Sequence, residues 1–471
     1  MKLISKVLFS KLLYNRGIST ARYYSRHRNP AQKTLDVLAL DMPSILSNKK
    51  RTFTYPEHSD IVIIGGGPIG ASVAYWLKSR AGEGLSVVVL EKDFTYKETQ
   101  QNISLGNLSQ HFSLPENVHL AKYSIDFLRN AREHLTDDCD LQYTPTGSLV
   151  LATEKYAHKL EENVLMLNEL GVKNHIISAS DINKRFPWIN TQDIKLGCMA
   201  IEGEGKFNSW ALLKGLIQKS KELGTMYVNA EVIGFDVEKQ KDVLMEGVTP
   251  GTFERINRVT YRTKENEEYS LKFAICVLAA GDNSGNLATL AGIGAGENIL
   301  KIPLPIERRD YNVYSVEDKA TETGLYTPFV MDTTGLWIMR NGLENNLLCG
   351  TLPMMKDETK NMSETDFFNN IIEPSLLNRC PSFKNAKIIK HSRESHDCNT
   401  YDNSGILGPH PYHNNLFIAS GFGRLGCQHS PGIGRSIAEL VIDSQYTNID
   451  LTRFGFDRLL MNEALVEFNV Y

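Results

Sequence analysis

The chain has 471 residues, of which 42% are hydrophobic and 23% charged, and its formal net charge is −4. This length provides two or three folded units, and the composition excludes a disordered, collagenous or polytopic membrane chain. The near-neutral balance also excludes a protein that tracks nucleic-acid phosphates, because such proteins need an excess of Lys and Arg. The seven cysteines are scattered and form no CxxC pair. We therefore predict free thiols in a reducing compartment and no metal site.

The N-terminal segment differs from the rest of the chain in charge. Its first 35 residues contain eight basic side chains and no carboxylate, which leaves 43 basic and 55 acidic residues for the remainder. Apolar residues recur at three- and four-residue spacing between Leu3 and Leu13, which predicts a basic amphipathic helix typical of a mitochondrial transit peptide. The segment Arg22-Tyr23-Tyr24 resembles a matrix-peptidase site. We expect a transit peptide over residues 1–24, a polar lead-in over 25–57, and a location in the mitochondrial matrix, free or associated with the inner membrane.

The next stretch predicts a strand, a turn and a helix. Ile61–Ile64 is a continuous β-branched run, typical of a buried parallel strand, and Gly65-x-Gly67-x-x-Gly70 follows it. A helix is predicted from Ala71, and a second β-branched run ends in Glu91, 21 residues after the last glycine. The uncharged stretch from residue 61 to 77 is too short and too rich in glycine to span a bilayer. Strand, glycines, helix and acid in this order form the β-α-β fingerprint of dinucleotide binding.

Each residue of the fingerprint has a physical role. Gly65 permits the tight turn, Gly67 lets the backbone approach a pyrophosphate, and Gly70 lets helix and strand pack closely. The pyrophosphate would lie at the start of the helix, where free amides and the helix dipole favour negative charge. Glu91 would accept hydrogen bonds from the hydroxyls of the adenosine ribose.

Two later segments extend this site. Phe273–Gly281 predicts a buried strand that ends in the small residues Ala280 and Gly281. Leu416–Ser420 predicts another strand, which leads into Gly421-Phe-Gly423-Arg-Leu-Gly426, formally a second glycine fingerprint. No carboxylate follows at the spacing of Glu91, so we interpret this segment as a flavin-ring loop at a helix start rather than a second nucleotide site. That helix is expected to begin near Ser430, with Pro431 in its first turn.

In this order, the three segments resemble the D-amino-acid-oxidase-like flavoproteins, which include the sarcosine and dimethylglycine dehydrogenases. Further segments resemble a mitochondrial branch of this family tied to assembly of respiratory complex I. The resemblance covers residues 58–471 and implies FAD as the cofactor and complex I subunits or assembly intermediates as partners. The segments of this closer match are Phe112–Asn117, Phe186–Asn190, Asn399–Asp402, Gly408–Pro411 and Pro431–Gly434.

The resemblance also implies the architecture. It is an α/β fold with a discontinuous Rossmann-type FAD-binding domain and a second, mostly antiparallel domain on the substrate side. The alternating segments Gly147–Ala152 and Leu336–Arg340 predict strands of the second domain. The expected boundaries are 58–115, 200–300 and 395–445 for the FAD-binding domain, 116–199 and 301–394 for the substrate-side domain, and 446–471 for a C-terminal segment.

The candidates for catalysis are weaker than those for cofactor binding. In amine-oxidising relatives an Arg soon after the second strand binds the substrate carboxylate, but residues 102–112 contain neither Arg nor Lys. Arg340 is the remaining basic candidate, with an ordinary surface arginine as the alternative. His396, Asp397 and His429 are candidate acids or bases, although polar residues in such loops usually satisfy backbone groups.

Other departures from the family concern the flavin ring. Gln428 stands where oxidases carry an oxygen-activating Lys, and a neutral amide cannot stabilise developing superoxide charge. We therefore predict a dehydrogenase rather than an oxidase, if the protein is active. Ile103 replaces the flavin-attaching His, and Ser395 aligns with the attachment-type Cys, so we expect non-covalent FAD. Cys398 and Cys427 are interpreted as buried free thiols.

Two functions stay open from the sequence. One is a flavin-stabilised factor for complex I assembly, in which FAD supports the fold and a surface binds complex I subunits. The other is a dehydrogenase of N-methylated or related amino acids, with a small amine or amino acid as substrate. The missing carboxylate anchor favours the first.

Overall fold

The computed structural model describes residues 54–96, 106–136, 139–242, 250–295, 301–317, 323–342, 346–351 and 362–469. The expected transit peptide, its cleavage site and Ile103 lie outside the described residues.

The described elements alternate between strands and helices along the chain. The strands are β1 His58–Ile64, β2 Val87–Glu91, β3 Asn107–Leu108, β4 Ser148–Ala152, β5 Asn174–Ser178, β6 Leu196–Ala200, β7 Gly205–Lys206, β8 Met226–Lys239, β9 Glu254–Thr263, β10 Glu268–Leu278, β11 Ile306–Glu317, β12 Phe329–Met331, β13 Leu336–Arg340, β14 Asn346–Thr351, β15 Lys387–Asn399, β16 Ile406–Pro409 and β17 Leu416–Ser420. The helices are α1 Pro68–Ala81, α2 Pro115–Arg129, α3 Ala131–His134, α4 Ala157–Glu169, α5 Ala179–Arg185, α6 Ser209–Glu222, α7 Ser284–Leu290, α8 Glu364–Phe367, α9 Glu373–Arg379, α10 Gly426–Asp443 and α11 Asp457–Met461.

The first sheet has a parallel centre in the order β8-β2-β1-β10-β17, and β16 closes one edge antiparallel to β17. β9 pairs antiparallel with the second half of β8 and the first half of β10. The β-branched run of β1 is buried on both faces, as parallel strands between helices require. Because the central strands run in one direction, their carboxyl ends meet at one edge of the sheet.

Helices α1, α2, α6 and α10 share one apolar core with this sheet. α1 and α10 approach closely, because a Cβ atom at Gly434 would lie 2.5 Å from the backbone carbon of Ser72. α2 contributes Leu120 and Ile125 to this core. The expected domain boundary at residue 115 therefore needs correction, since α2 packs with the helices of the first sheet rather than with the second sheet.

The second sheet has the order β15-β11-β14-β13-β12-β4-β6-β5. Its neighbours are antiparallel except for the β12–β4 pair, which confirms the mostly antiparallel fold. β4 and β13 lie where the alternating segments predicted strands. β15 runs without a break across the expected boundary between residues 394 and 395, so this boundary divides a single strand.

The start of α10 differs from the sequence prediction. The helix begins at Gly426 rather than near Ser430, and Pro431 lies inside it. Pro431 has no N–H to donate to the carbonyl of Cys427, four residues earlier. The hydroxyl of Ser430 donates to that same carbonyl at 2.9 Å. Ser430 therefore satisfies the acceptor that the proline leaves free, instead of capping the helix.

Two further expectations concern the chain as a whole. All seven cysteines are free, as predicted. In the part of the chain that the structure describes, no helix is both long enough and apolar enough to cross a bilayer.

Candidate functional site

A cavity of about 570 Å³ lies at the carboxyl ends of the parallel strands. The loops that follow β1, β2 and β10 line it, together with the loop between β17 and α10. The second sheet contributes Tyr311 from β11 and Ser395 and His396 from β15. Ligands of open parallel sheets bind at this edge, and the volume is typical of a small-molecule or cofactor site.

The three fingerprint glycines differ in what surrounds them. Gly65 has a φ of +99°, and a Cβ atom there would lie 2.2 Å from the carbonyl oxygen of Ala279. A Cβ atom at Gly70 would lie 1.9 Å from the carbonyl oxygen of Gly65. Gly65 and Gly70 are therefore required for backbone packing. A Cβ atom at Gly67 would meet nothing within 4 Å, and this residue lines the cavity at the start of α1.

Glu91 lies at the end of β2 and lines the same cavity. Its Oε2 accepts the N–H of Gly66 at 2.7 Å, and its Oε1 accepts the N–H of Asp93 at 2.8 Å. Burial raises the pKa of Glu91, and these two N–H donors oppose that shift. Each carboxylate oxygen can still accept a second hydrogen bond. The residues present fit a dinucleotide, with α1 and Gly67 holding the pyrophosphate and Glu91 the ribose hydroxyls.

The later segments complete the wall of the cavity. Ala280, Gly281, Gly423 and Gly426 line it, whereas Gly421 does not. The N–H of Gly421 instead donates to the carboxylate of Asp397.

Asp397 fixes the loop between β17 and α10. It accepts the N–H groups of Gly421 and Gly423, the latter at 3.0 Å, and it lines the cavity. Burial raises its pKa to about 6, and these N–H donors oppose the shift. Its visible role is therefore to position the loop, although sequence analysis considered it as an acid or base.

Arg424 is the cavity residue that sequence analysis missed. Its guanidinium carbon lies 4.9 Å from the ring centroid of Tyr311 and 5.1 Å from that of Trp337. Its Nη1 is buried and makes no hydrogen bond to any described residue. Burial lowers the pKa of Arg424, and nearby Tyr311 and Glu394 partly offset this effect. The one signal in the sequence was the departure of the 423–426 loop from the pattern of its relatives.

The neighbours of Arg424 come from β11 and β15, which pair so that Tyr311 is opposite Glu394. The Tyr311 hydroxyl donates to Oε2 of Glu394 at 2.8 Å. The ring of His396 lies 5.2 Å from that of Tyr311. Burial lowers the pKa of His396 to about 3, and Arg424 adds to the shift. Of the three catalytic candidates, His396 is the one that lines the cavity, and it is neutral there at pH 7.

Arg340 and His429 lie elsewhere, which corrects their candidacy. Side chains alternate along β13, so Trp337 and Arg340 lie on opposite faces of the second sheet. The guanidinium of Arg340 donates to the carbonyl of Gly324 at 2.9 Å, and it does not line the cavity. His429 is fully buried in α10, where its ring meets Phe112 edge to face at 5.3 Å.

Gln428 and Cys427 line the cavity from the first turn of α10. The Gln428 amide binds the backbone of Ser109, donating to its carbonyl and accepting its N–H at 3.2 Å. Burial raises the pKa of Cys427 to about 12, so the thiol stays protonated. Neither side chain brings charge into the cavity.

Comparisons with known proteins agree with this site. The model of the FAD dependent oxidoreductase (DAO) family matches residues 60–440. The chain is 39% identical over 434 residues to the FAD-dependent oxidoreductase domain-containing protein 1 homolog of Drosophila melanogaster, covering 90% of this chain and 83% of the relative. It is 38% identical over 449 residues to the Mus musculus FAD-dependent oxidoreductase domain-containing protein 1, covering 91% of each. The L-proline dehydrogenase of P. horikoshii shares the fold, with a TM-score of 0.69 at 21% identity over 87% of this chain and 100% of that structure. The chain therefore belongs to the DAO family of FAD-dependent oxidoreductases.

Proposed function

We propose that this protein holds FAD without a covalent bond and is required in mitochondria for the assembly of respiratory complex I. The observation that carries FAD binding is the open cradle at Gly67, with Glu91 at the neighbouring strand end. Bound FAD supplies two-electron redox chemistry to the cavity. The assembly role rests on the resemblance of the late segments, and the mitochondrial location on the acid-free N-terminal helix.

The cavity walls favour a non-covalent bond. Covalent attachment needs a nucleophilic side chain, and the cysteine on the wall, Cys427, keeps its thiol protonated because burial raises its pKa to about 12. Acid precipitation of the purified holoprotein should release the flavin into the supernatant. Yellow colour retained in the pellet would contradict the proposal.

Import into mitochondria is tested at the N-terminus. Protein isolated from mitochondria should begin at Ser25 or a few residues beyond it. An intact Met1 in that preparation would contradict both the transit peptide and the matrix location.

A second candidate function, oxidation of a carboxylate-bearing amine, is favoured by Arg424. A buried guanidinium with an unpaired donor is unfavourable unless an anion binds it. Arg424 could bind the carboxylate of an N-methylated or related amino acid, with Tyr311 and Trp337 holding the guanidinium in place. The argument that the cavity lacks a carboxylate anchor therefore no longer separates the two functions.

The amine proposal is tested with substrate pairs that differ only in the carboxylate. Under anaerobic conditions, sarcosine, dimethylglycine and proline would be compared with dimethylamine, trimethylamine and pyrrolidine. Bleaching of the flavin should require the carboxylate and should be lost in Arg424→Met, while the control Arg340→Met bleaches normally. Equal bleaching by the decarboxylated amines would contradict a role for Arg424.

The two functions are separated by complementation of a knockout, read as assembled complex I on native gels. Gly67→Val should fail to restore complex I, because it removes FAD. If Arg424→Met retains FAD and restores complex I, assembly does not need turnover of a carboxylate substrate. If it retains FAD and fails, assembly depends on catalysis. Normal complex I in the knockout itself would contradict the assembly role.

A further inference from the structure

A cluster of buried polar side chains lies behind the cavity wall, next to Ser109. Ser109 lines the cavity and is 1% exposed, and Glu204 is 0% exposed. The short strands β3 and β7 pair antiparallel, with Leu108 opposite Gly205. This register places Ser109, which follows β3, beside Glu204, which precedes β7.

The Glu204 carboxyl is only partly satisfied. Its Oε1 accepts the N–H of Gln110 at 2.7 Å, and its Oε2 makes no hydrogen bond to any residue that the structure describes. Burial raises the pKa of Glu204 to about 8, although the Gln110 N–H and the nearby hydroxyls of Ser109 and Ser148 oppose the shift. The carboxyl is therefore mostly protonated at neutral pH and holds a proton that it can give up.

Tyr143 links this carboxyl to the protein surface. Burial raises the pKa of Tyr143, Glu204 adds to the shift, and a hydrogen bond with Arg129 opposes it. The side chain of Arg129 is 42% exposed. Ser109, Glu204, Tyr143 and Arg129 thus lead from the cavity to solvent.

Two other titratable groups belong to the same cluster. Burial and the nearby Glu204 raise the pKa of Cys198 to about 12, and burial lowers the pKa of His111 to about 4. Both are neutral near pH 7, and the His111 Nδ1 lies 3.9 Å from the Cys198 sulfur. Neither supplies a positive charge that would hold Glu204 ionised.

We propose that Glu204 and Ser109 form a proton relay between the cavity and the surface. The inference rests on the proposed binding of FAD, because reduction of FAD by electrons alone requires protons to enter the cavity. In that step the O–H bond of the Glu204 carboxyl breaks and its proton passes to Ser109 Oγ. The original hydroxyl proton of Ser109 enters the cavity, and a proton from solvent returns to Glu204 along Tyr143. Oxidation of an amine to an imine sends one hydrogen with two electrons to FAD, and the other leaves as a proton along the same path in reverse.

Proton uptake can be measured without a natural substrate. Reduced methyl viologen donates electrons and no protons, and two molecules supply the two electrons that FAD accepts. The holoprotein would be mixed with it anaerobically in weakly buffered solution containing a pH-indicator dye. Flavin bleaching and proton uptake would be followed together in a stopped-flow instrument. Uptake in the unaltered protein should keep pace with bleaching.

Glu204→Gln should slow proton uptake by on the order of 10²-fold while the protein still binds FAD and accepts electrons. The matched control is Glu202→Gln, which removes a surface carboxylate two residues away that pairs with Lys173 at 2.8 Å. This control should behave like the unaltered protein. If Glu204→Gln loses FAD, Ser109→Ala decides, with the same slowing expected.

Three outcomes would overturn or isolate the relay. Uptake as fast as in the unaltered protein in Glu204→Gln or, where that variant loses FAD, in Ser109→Ala overturns it. Loss of FAD from both variants also overturns it, since the cluster then serves to build the cavity. Failure of the proposed function is seen separately. A colourless protein refutes FAD binding, and a protein that no amine bleaches but whose viologen-driven uptake depends on Glu204 keeps the relay without the dehydrogenase.

Discussion

Gly67 and Gly65 lie two residues apart, but their substitution by Ala should affect different properties. A Cβ atom at Gly67 meets nothing within 4 Å, and the residue has a φ of −67° that any amino acid adopts. Because Gly67 is the N-cap of α1, where Gly is preferred to Ala, Gly67→Ala should lower the free energy of unfolding of the apoprotein by less than about 1 kcal/mol.

The effect of Gly67→Ala on cofactor affinity should be larger. The added methyl group lies in the cradle at the start of α1, where it would hold an anionic group away from the helix amides. Loss of one charge-assisted hydrogen bond weakens binding by about 2 kcal/mol, which corresponds to roughly 30-fold in Kd.

Gly65→Ala should affect the fold instead. Its φ of +99° is unfavourable for a side chain, and the Cβ atom would lie 2.2 Å from the backbone of Ala279, which follows β10. Left-handed strain of about 1 kcal/mol and overpacking of about 1–3 kcal/mol add to a loss of about 2–4 kcal/mol in the apoprotein.

Both variants can be compared after removal of the flavin. Urea titration gives the free energy of unfolding of each apoprotein, and FAD titration followed by fluorescence gives its Kd. Gly67→Ala with the original affinity for FAD would refute the assignment of the cradle. Gly65→Ala with unchanged apoprotein stability would refute the packing argument.

Three further predictions follow from the described contacts. Glu467 accepts the N–H groups of Ser113 and Leu114 at the start of α2, so Glu467→Gln should lower the free energy of unfolding by about 2 kcal/mol in urea titration. Burial lowers the pKa of His429 to about 3, so the unfolded state binds more protons below pH 6.5. Stability should therefore fall as the pH drops from 6.5 towards 4, and His429→Leu should reduce that slope by up to about 1.4 kcal/mol per pH unit. Because the Gln428 amide is neutral and bound to the backbone of Ser109, the photoreduced protein should react slowly with oxygen; reoxidation as fast as in amine oxidases would contradict this.

The parts of the site that sequence analysis predicted well are encoded within short stretches of chain. The first strand, the glycine turn, α1 and Glu91 lie within 34 residues, from His58 to Glu91, and hydrophobic period, turn glycines and spacing all agree there. The strand Leu416–Ser420 was likewise predicted with the bounds it has. In each case the local pattern needs no knowledge of the rest of the fold.

The parts that sequence analysis missed depend on contacts between distant residues. Gln428 binds Ser109 across 319 positions of sequence. The capping rule favoured a helix start at Ser430, but tertiary contacts support the helix through its proline, since the Trp76 indole donates to the Pro431 carbonyl at 2.9 Å. Local propensity is a weak guide where such packing decides the outcome.

The choice between Arg340 and Arg424 failed for a related reason. Alternation along β13 shows that Trp337 and Arg340 lie on opposite faces, but it does not show which face the cavity uses. That choice depends on how the second sheet packs beside the loop that carries Arg424. A basic residue in a glycine-rich loop carries no periodic pattern that would have drawn attention to it.

Arg424 also provides a test of whether the cavity is more than a support for FAD. Replacing a buried ion by an apolar side chain of similar length is often neutral or stabilising, by up to about 4 kcal/mol. Glu394 would not be left without partners, because it accepts hydrogen bonds from Tyr311 at 2.8 Å and from Ser392 at 3.3 Å. Arg424→Met should therefore unfold at the same or higher urea concentration than the unaltered protein, while it loses carboxylate-dependent bleaching. A guanidinium that lowers stability where it stands is expected of a binding residue, since function and stability often conflict at such sites. A loss of more than about 2 kcal/mol in Arg424→Met would instead assign Arg424 to the fold and remove the main structural support for a carboxylate substrate.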